Sequence, residues 1–427
     1  MIATALILLV VLIGLSIPIA ASLGVLGLLL DKAFGFLPLT RAAGEITWNA
    51  TTDFLLIALP LFILLGEILL RAGFAERMYA ALARWLTWLP GGLMHSNIAA
   101  CAMFAATSGS SVATAATVGA VALPEIRRYG YNERLFLGTL AAGGTLGILI
   151  PPSINMIVYA VLTNTSVPRL YLAGIVPGLL LTLLFMGTVV IACIARPAWG
   201  GSVLTSSWPD RIRSLVKLLP PLAIFVVGVG SIYAGVATPT EAASLGVIGG
   251  LALAAGFGRL SWKMLMGALE STMTATGMIM LIIVGAYFLN FIMASIGLTT
   301  ALTGSIESLG LSKWEMLFAV IVFYVVLGCF METLSMMITT IPVIAPIMVG
   351  LGFDAVWFGI VVILLIETAL ITPPVGLNLF VVQNVRRSGS LNDVIIGTLP
   401  FVATLFVMLA IVSVFPSVVL WLPSLWR

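Results

Sequence analysis

Residues 143–153 read Gly-Gly-Thr-Leu-Gly-Ile-Leu-Ile-Pro-Pro-Ser, and residues 368–378 read Thr-Ala-Leu-Ile-Thr-Pro-Pro-Val-Gly-Leu-Asn. Each stretch interrupts a long apolar segment with two consecutive prolines, which lack a backbone N–H and clash with the preceding helical turn. The two proline pairs stand 222 residues apart. The same displacement aligns Pro124 with Pro346, Gly130 with Gly352, Ser111 with Thr333, and Thr117 with Thr339. The sequence therefore predicts two related halves, each containing a broken helix.

The composition indicates an integral membrane protein embedded in a lipid bilayer. Hydrophobic residues make up 61% of the chain and charged residues only 8%, whereas soluble domains carry roughly 25% charged residues. Apolar stretches that can span a bilayer as helices, about 20 residues each, recur throughout, and none alternates like a barrel strand. They cover residues 2–30, 54–70, 171–195, 242–257, 273–294, 355–382 and 394–424. The first is expected to be a retained helix, because it lacks the basic start of a cleaved signal.

Titratable residues are too scattered for most enzyme chemistry. The chain has one histidine, His95, and its three cysteines lie far apart. Hydrolytic and redox sites usually gather such residues with carboxylates, so a membrane enzyme acting on lipid is disfavoured. The net charge of +3 argues against a nucleic-acid binder, and the chain contains no phosphate-binding loop of the nucleotide-hydrolase type. Energy for transport is therefore expected from an ion gradient or from another subunit.

The distribution of basic residues predicts two re-entrant hairpins. Cytoplasmic loops are enriched in Lys and Arg, and both ends of the apolar segment 91–124 are basic. This segment is too short for two spans of about 20 residues, so it is expected to fold back at residues 107–111. The related segment 313–349 forms the second hairpin. Five predicted crossings separate the two hairpins, and this odd number inverts the second copy: 135–160, 171–195, 218–234, 240–258 and 271–295.

The predicted fold is an all-α polytopic membrane protein with an inverted-topology repeat, two re-entrant helical hairpins and two broken transmembrane helices. This architecture is typical of secondary transporters. We divide the chain into scaffold helices of the first repeat (1–90), an inward hairpin with the first broken helix (91–165), scaffold helices and connecting arms (166–312), an outward hairpin with the second broken helix (313–390), and a C-terminal scaffold helix (391–427).

The hairpin tips and helix breaks form the predicted binding region. Unwound carbonyl groups are hard oxygen ligands for a small cation, and freed helix N-termini attract an anion. Glycines, prolines and hydroxyl residues can also act as kinks or packing contacts in membrane helices. Intramembrane acids are functional candidates by default, which singles out Glu332 and Glu367. For Glu332, cation binding and structural hydrogen bonding to the hairpin backbone are both open. The residues assigned to the substrate are Ser111, Thr114, Pro151, Ser153, Glu332, Pro373 and Asn378.

Four stretches of the sequence together carry a family resemblance. They are Gly109-Ser110-Ser111-Val112-Ala113-Thr114, Gly144-Thr145-Leu146-Gly147-Ile148-Leu149-Ile150-Pro151-Pro152-Ser153, Ala237-Thr238-Pro239-Thr240-Glu241-Ala242, and Thr372-Pro373-Pro374-Val375-Gly376-Leu377-Asn378-Leu379-Phe380. In this order the chain resembles the large membrane subunit of bacterial TRAP transporters, the tripartite ATP-independent periplasmic systems.

The resemblance implies sodium-coupled uptake by an elevator motion in a bacterial inner membrane. It implies two sodium sites, one formed by Ser108, Ser110, Ser111, Gly144 and Gly147, the other by Thr333, Ser335, Thr368, Thr372 and Gly376. It also implies two protein partners, a small four-helix membrane subunit and a periplasmic substrate-binding protein that delivers a small organic carboxylate. The competing functions are a self-sufficient ion-coupled anion carrier and a gated channel. The inverted repeat with two closed hairpins favours alternating access over a continuous pore.

Overall fold

A computed structural model of the protein describes residues 1–15, 17–36, 38–202, 207–307 and 310–425. Within these ranges the chain is almost entirely helical, and its one β-bridge joins Tyr131 to Gly200. The first repeat contains α1 (Ile2–Gly14), α2 (Ile19–Phe34), α3 (Ala43–Thr52), α4 (Ala58–Arg71), α5 (Phe74–Leu86), α6 (Leu93–Ser108), α7 (Ser111–Tyr129), α8 (Glu133–Thr145), α9 (Ile154–Thr163) and α10 (Val167–Ala195).

The second part of the chain continues in the same manner. It contains α11 (Trp208–Leu215), α12 (Leu219–Phe225), α13 (Ser231–Tyr233), α14 (Pro239–Gly256), α15 (Trp262–Ser295), α16 (Leu298–Glu307), α17 (Lys313–Gly328), α18 (Thr333–Gly350), α19 (Ala355–Ile371), α20 (Leu377–Arg386), α21 (Leu391–Val414) and α22 (Ser417–Leu425). A π-helical turn, Val226–Gly230, joins α12 to α13.

Six helical segments in the described part of the chain are long and apolar enough to cross a membrane. They are Phe54–Arg71, Val167–Ala195, Trp208–Tyr233, Trp262–Ser295, Thr333–Gly350 and Leu391–Val414. Many large apolar side chains on these segments are exposed, for example Leu183 and Ile191 on α10. Such exposure is unfavourable in water and ordinary in lipid. The predicted multi-pass membrane protein is confirmed.

Two apolar stretches that the sequence presents as continuous are divided in the structure. The stretch 2–30 forms α1 and α2, and Pro18 immediately precedes the second helix. The stretch 394–424 forms α21 and α22, which are separated at Phe415 and Pro416. Proline restricts the residue before it to extended conformations and cannot donate its own N–H. The predicted C-terminal segment also included residues 426–427, which lie outside the described residues.

The structure confirms the two hairpins and the two broken helices. Helices α6 and α7 form hairpin 1, and α17 and α18 form hairpin 2. The first broken helix consists of α8 and α9, and the second of α19 and α20. The displacement of 222 residues also aligns the caps of these helices. Ser110 and Glu332 cap α7 and α18, while Asn132 and Asp354 cap α8 and α19.

The two repeats are interlocked. The second half of each broken helix packs against the hairpin of the other repeat, because α20 contacts α7 and α9 contacts α18. Helix α21 makes its most extensive contact with α8, and α10 packs against both α9 and α21. The division into scaffold and transport segments stays a prediction. The contacts of α21, which it assigned to the scaffold, are largely with elements it assigned to the transport domain, whereas α10 contacts elements of both groups.

The contact between α8 and α21 depends on two glycines. A Cβ atom on Gly138 would overlap the carbonyl group of Gly397, and a Cβ atom on Gly397 would overlap the carbonyl group of Arg134. At this crossing the two helix backbones therefore touch directly. At their outer ends Arg134 also pairs with Asp393, with 2.9 Å between Nε and Oδ1.

We expect Gly397→Ala to lower the apparent melting temperature of the purified protein in detergent, because the added methyl group would force α21 away from α8. Overpacking of this kind typically costs about 1–3 kcal/mol. The matched control is Gly187→Ala in α10, where a Cβ atom would meet nothing within 4 Å. This control should be neutral or slightly stabilising, since alanine favours a helix over glycine by about 1 kcal/mol. Equal melting temperatures for both variants would contradict the close backbone contact.

Candidate functional site

The tip of hairpin 1 is held by its own hydroxyl groups. Helix α6 ends at Ser108, and Gly109 reverses the chain with a left-handed φ of +60°. Ser110 then caps α7, and its Oγ accepts a hydrogen bond from the N–H of Ala113 at 3.4 Å. The Thr114 hydroxyl donates to the carbonyl oxygen of Ser110 at 2.6 Å. The Ser108 and Thr114 hydroxyls lie 3.1 Å apart, and Ser108 is the donor because the proton of Thr114 is already used.

The tip of hairpin 1 lies directly against the break in the first broken helix. A Cβ atom on Gly147 would be 2.8 Å from the carbonyl carbon and oxygen of Ser110 and 2.8 Å from the backbone nitrogen of Ser111. A Cβ atom on Gly109 would be 2.8 Å from the carbonyl oxygen of Pro152. Only glycine permits backbones to approach this closely. The structure thus brings the predicted hydroxyl residues of hairpin 1 together with Gly147.

Asn378 of the second repeat completes this first site. Its Nδ2 donates to the carbonyl oxygen of Ala141 at 3.1 Å and would be 3.0 Å from a Cβ atom on Gly144. The side chain is fully buried. Because a carbonyl group can only accept, the orientation of the amide is fixed. The Oδ1 atom of the same amide, which has no hydrogen-bond partner among the described residues, is therefore a free acceptor.

Glu332 organises the tip of hairpin 2. Its carboxylate accepts hydrogen bonds from the backbone N–H groups of Leu334 and Ser335, at 3.1 and 3.0 Å. It also accepts from the hydroxyls of Thr333 and Ser335, at 2.8 and 3.1 Å. A carboxylate at a helix N-terminus satisfies free backbone donors and complements the helix dipole. Of the two roles left open for Glu332, the structure shows the hydrogen-bonding one.

Hairpin 2 contacts the break in the second broken helix through other residues. The Cys329 sulfur lies 3.4 Å from the carbonyl oxygen of Pro373 and 3.3 Å from that of Val325, and its one proton can be donated to either. Within the break, the Thr372 hydroxyl donates to the carbonyl oxygen of Thr368 at 2.6 Å. Gly376 turns the chain with a left-handed φ of +48°, and a Cβ atom there would be 3.0 Å from the carbonyl oxygen of Thr372. Thr368, Thr372, Pro373 and Gly376 are therefore close together.

Two other predicted residues of this second site are not joined to the break by hydrogen bonds. The hydroxyls of Thr333 and Ser335 both donate to Glu332. In the described part of the chain, neither forms a hydrogen bond with Thr368 or Thr372. The second site is therefore less tightly assembled than the first, in which the hairpin backbone touches the break.

Several hydroxyl groups at the two breaks have already donated their protons and can only accept. A hydroxyl has one proton to donate and two lone pairs. The Thr368 proton is used on the carbonyl oxygen of Leu364 at 2.8 Å, and the Ser153 proton on that of Ile148 at 2.6 Å. The protons of Thr114 and Thr372 are likewise committed. The remaining lone pairs suit a small cation. Thr114 and Ser153, assigned to the substrate from the sequence, have no proton left to donate to a carboxylate.

Sequence reasoning missed one donor at the first break. Asn155 is the second residue of α9, is 3% exposed, and its Nδ2 has no hydrogen-bond partner among the described residues. Asn378 occupies the equivalent place in α20. The two asparagines stand 223 residues apart rather than 222, because the second break is one residue longer. This offset conceals the match. A buried amide donor at a helix N-terminus is suited to an anion.

Glu367 differs from the other candidate acids. It is fully buried in α19, and neither carboxylate oxygen has a hydrogen-bond partner in the described part of the chain. By contrast, Glu67 pairs with Arg71 at 3.2 Å, and Glu241 caps α14 in a capping box. An ionised carboxylate without a partner is strongly unfavourable in an apolar interior. The Glu367 carboxyl group is therefore suited to hold a proton or a cation.

Interlocked inverted repeats, with each hairpin tip meeting a helix break, define the chain as a polytopic membrane transporter. The solved structure of the YdaH transporter of Alcanivorax borkumensis shares this fold, with a TM-score of 0.60 over 96% of this chain and 97% of that chain at 17% identity. A family model described as the tripartite ATP-independent periplasmic transporter, DctM component, matches residues 6–418. The chain therefore belongs to the family of large TRAP permeases.

Relatives with different named substrates resemble the chain over most of its length. The C4-dicarboxylate TRAP transporter large permease protein DctM of Pseudomonas aeruginosa is 36% identical, with 88% of each chain covered. The sialic acid TRAP transporter large permease protein SiaM of Vibrio cholerae is 30% identical, covering 93% of this chain and 94% of the relative. The ectoine/5-hydroxyectoine permease UehC of Ruegeria pomeroyi is 30% identical, covering 87% and 86% respectively.

We expect Glu332→Ala to lower the apparent melting temperature in sodium-free buffer, because it leaves the N-terminus of α18 uncapped. Loss of a helix N-cap typically costs about 0.5–2 kcal/mol. Glu332→Asp, which can still cap the helix, should recover most of the loss, and Glu270→Ala at an exposed position of α15 should have little effect. If Glu332→Ala and Glu332→Asp melt alike without sodium and differ only when sodium is added, the carboxylate is a cation ligand instead.

Proposed function

We propose that the chain is the permease subunit of a sodium-coupled importer of small organic carboxylates that works by alternating access. The observation that carries the proposal is the pair of related sites at which a hairpin tip meets a helix break. In both sites threonine hydroxyls have donated their protons to carbonyl groups and keep oxygen lone pairs. Such oxygen-rich sites favour a hard cation over an anion or a soft metal.

The first sodium site is the better supported of the two. Its proposed ligands come from the backbone and hydroxyl oxygens of hairpin 1 and from the break: Ser108, Ser110, Ser111, Gly144 and Gly147. The free Oδ1 of Asn378 adds an acceptor from the other repeat. The second site would use Thr368, Thr372 and Gly376 with Thr333 and Ser335 from hairpin 2. Because the Thr333 and Ser335 hydroxyl protons point to Glu332, their lone pairs remain for a cation.

The substrate carboxylate is proposed to bind at the N-terminus of α9. The buried amide of Asn155 and the dipole of the helix offer positive potential there. Ser111, whose hydroxyl forms no hydrogen bond with a described residue, can donate as well. Bound sodium would add positive charge next to the carboxylate, which links carboxylate binding to sodium binding. Two relatives are named for C4-dicarboxylates and for sialic acid, which supports an acidic substrate.

An elevator motion is supported by the interlocking of the repeats. Since α20 packs on α7 and α9 on α18, the hairpins and broken helices are tied into one body. This body could move as a unit against the bundle formed by α2, α4, α14 and α15, which pack on one another. We further propose that the chain works in a bacterial inner membrane with a separate four-helix subunit and a periplasmic binding protein.

Uptake by the reconstituted system tests this function. Proteoliposomes that contain the chain, its small membrane subunit and the binding protein should accumulate a radiolabelled carboxylate only when a sodium gradient is imposed. Leaving out the binding protein should abolish uptake. Uptake that persists without the binding protein would make the chain a self-sufficient anion carrier. Uptake that persists without sodium would refute the two cation sites.

Variants in the same assay separate the cation ligands from the substrate donor. Thr372→Ala should raise the sodium concentration needed for half-maximal uptake by roughly tenfold, the loss expected for one ligand contact worth about 1.4 kcal/mol. Ser111→Ala should raise both this sodium concentration and the half-saturating carboxylate concentration, because Ser111 is proposed to contact both ligands. Asn155→Leu should instead raise the half-saturating carboxylate concentration by a similar factor. At saturating sodium the defect of Thr372→Ala should disappear and that of Asn155→Leu should remain.

Thr274→Ala provides the control for these variants. Thr274 is exposed on α15, and its hydroxyl donates to the carbonyl oxygen of Glu270 at 2.9 Å, the same bond that Thr372 makes with Thr368. The control should leave both concentration dependences unchanged. Unaltered sodium titrations in Ser111→Ala and Thr372→Ala would return these residues to packing roles.

A further inference from the structure

A cavity with an excess of positive charge lies where hairpin 1 and the second broken helix both end. Its volume is about 600 Å³, and its wall includes Arg127 from α7, Arg386 and Arg387 from the end of α20, and Glu133 from the start of α8. Three arginines against one glutamate leave a net charge of +2 on this wall. The site is far along the chain from both hairpin tips and forms no part of the proposed cation and substrate sites.

Only one of the three arginines has its charge compensated. Arg386 is nearly buried, with 7% of its side chain exposed, and lies 2.8 Å from Glu133 and 3.4 Å from Asp393. Arg127 and Arg387 form no hydrogen bond or ion pair with any residue that the structure describes. Two guanidinium groups therefore line one cavity without a counter-charge. Each presents a planar fork of N–H donors that matches the oxygens of a phosphate group.

The backbone of Arg387 strengthens this interpretation. Arg387 follows the last residue of α20 with a left-handed φ of +58°, at a position where glycine or asparagine is usual. Arginine there carries a steric cost that glycine would avoid. A functional need for the guanidinium group at this position would explain why arginine is present there despite the steric cost.

Apart from Ser388, the rest of the cavity wall is apolar. Leu123 of α7 and Val385 of α20 line it together with the arginines. The two helices meet at Gly119, where a Cβ atom would be 3.8 Å from Cγ1 of Val385. Basic residues that follow apolar spans are expected at the cytoplasmic membrane surface. Basic pockets between helices at that surface suit phospholipid headgroups.

We propose that this cavity binds the phosphate group of an anionic phospholipid, with Arg127 and Arg387 on the phosphate and the glycerol and acyl region against Leu123 and Val385. The lipid would bridge hairpin 1 of the first repeat and α20 of the second. It would thereby add to the tie that Arg386 makes between α20 and Glu133 of α8.

Native mass spectrometry of the full chain in detergent, titrated with phosphatidylglycerol or phosphatidylcholine, tests the proposal. The wild type should retain phosphatidylglycerol in preference to phosphatidylcholine and melt at a higher temperature with it. Each basic residue near an anionic surface contributes about 1 kcal/mol, or roughly fivefold in affinity. The double variant Arg127→Gln/Arg387→Gln should therefore bind phosphatidylglycerol roughly 25-fold more weakly, and its melting temperature without lipid should stay close to that of the wild type.

A second double variant controls for overall charge. Arg259→Gln/Lys263→Gln removes the same charge from exposed positions at another basic cluster and should retain phosphatidylglycerol like the wild type. Equal lipid retention by both double variants would overturn the proposal. Glycerol phosphate without acyl chains should stabilise the wild type far less than the lipid does. Equal stabilisation would overturn the lipid assignment, because the cavity would then be a site for a soluble phosphate.

Discussion

Backbone N–H and C=O groups need hydrogen-bond partners when they lie in an apolar medium, and this requirement explains how the hairpins and the broken helices are arranged. Within a bilayer, unwound backbone is tolerated only where protein or trapped water surrounds it. The chain meets this requirement by placing each helix break against a hairpin tip. The backbone at Gly147 touches that of Ser110 and Ser111, and the carbonyl oxygen of Pro373 lies 3.4 Å from the sulfur of Cys329. The same contacts that protect the breaks also gather the oxygens of the proposed cation sites.

The interlocking of the repeats follows from this arrangement. A break has two helical halves, and the half beyond the break reaches the hairpin of the other repeat. Asn378 shows the consequence at the level of atoms, because its Nδ2 bonds to Ala141 in the first repeat, while its Oδ1 has no partner among the described residues. The first site is therefore built from both repeats. A cation bound there would contact elements of both repeats, which offers a physical route for coupling between them.

Whether a hydroxyl group has already donated its proton decides whether it can still bind an anion or only a cation. Sequence motifs rich in Ser and Thr are compatible with either, because a free hydroxyl both donates and accepts. Once Thr114, Thr368 and Thr372 have donated to carbonyl groups, only their lone pairs remain. The donors available to a carboxylate are fewer, and the buried amide of Asn155 is among them. Substrate assignments that rested on Thr114 and Ser153 thereby lose their chemical basis in this conformation.

The helical class, the membrane setting, the two hairpins and the repeat displacement could all be predicted from the sequence. These features follow from the length of apolar runs, the positions of prolines and the charges between spans. Each of these signals can be read from a short stretch of sequence or from a count of residues. The sequence also predicted that the tip of hairpin 1 meets the first helix break, and the backbones of Ser110, Ser111 and Gly147 do lie in contact. It could not show that 2–30 forms two helices, since one proline can kink or end a helix. Nor could it show that Asn155 and Asn378 occupy equivalent positions in the two repeats, or that the Glu332 carboxylate caps α18. Only the three-dimensional structure shows these points, because a polar side chain can reach several partners. Glu332 bonds to residues 333–335 beside it, whereas Asn378 bonds to Ala141, 237 residues earlier in the chain.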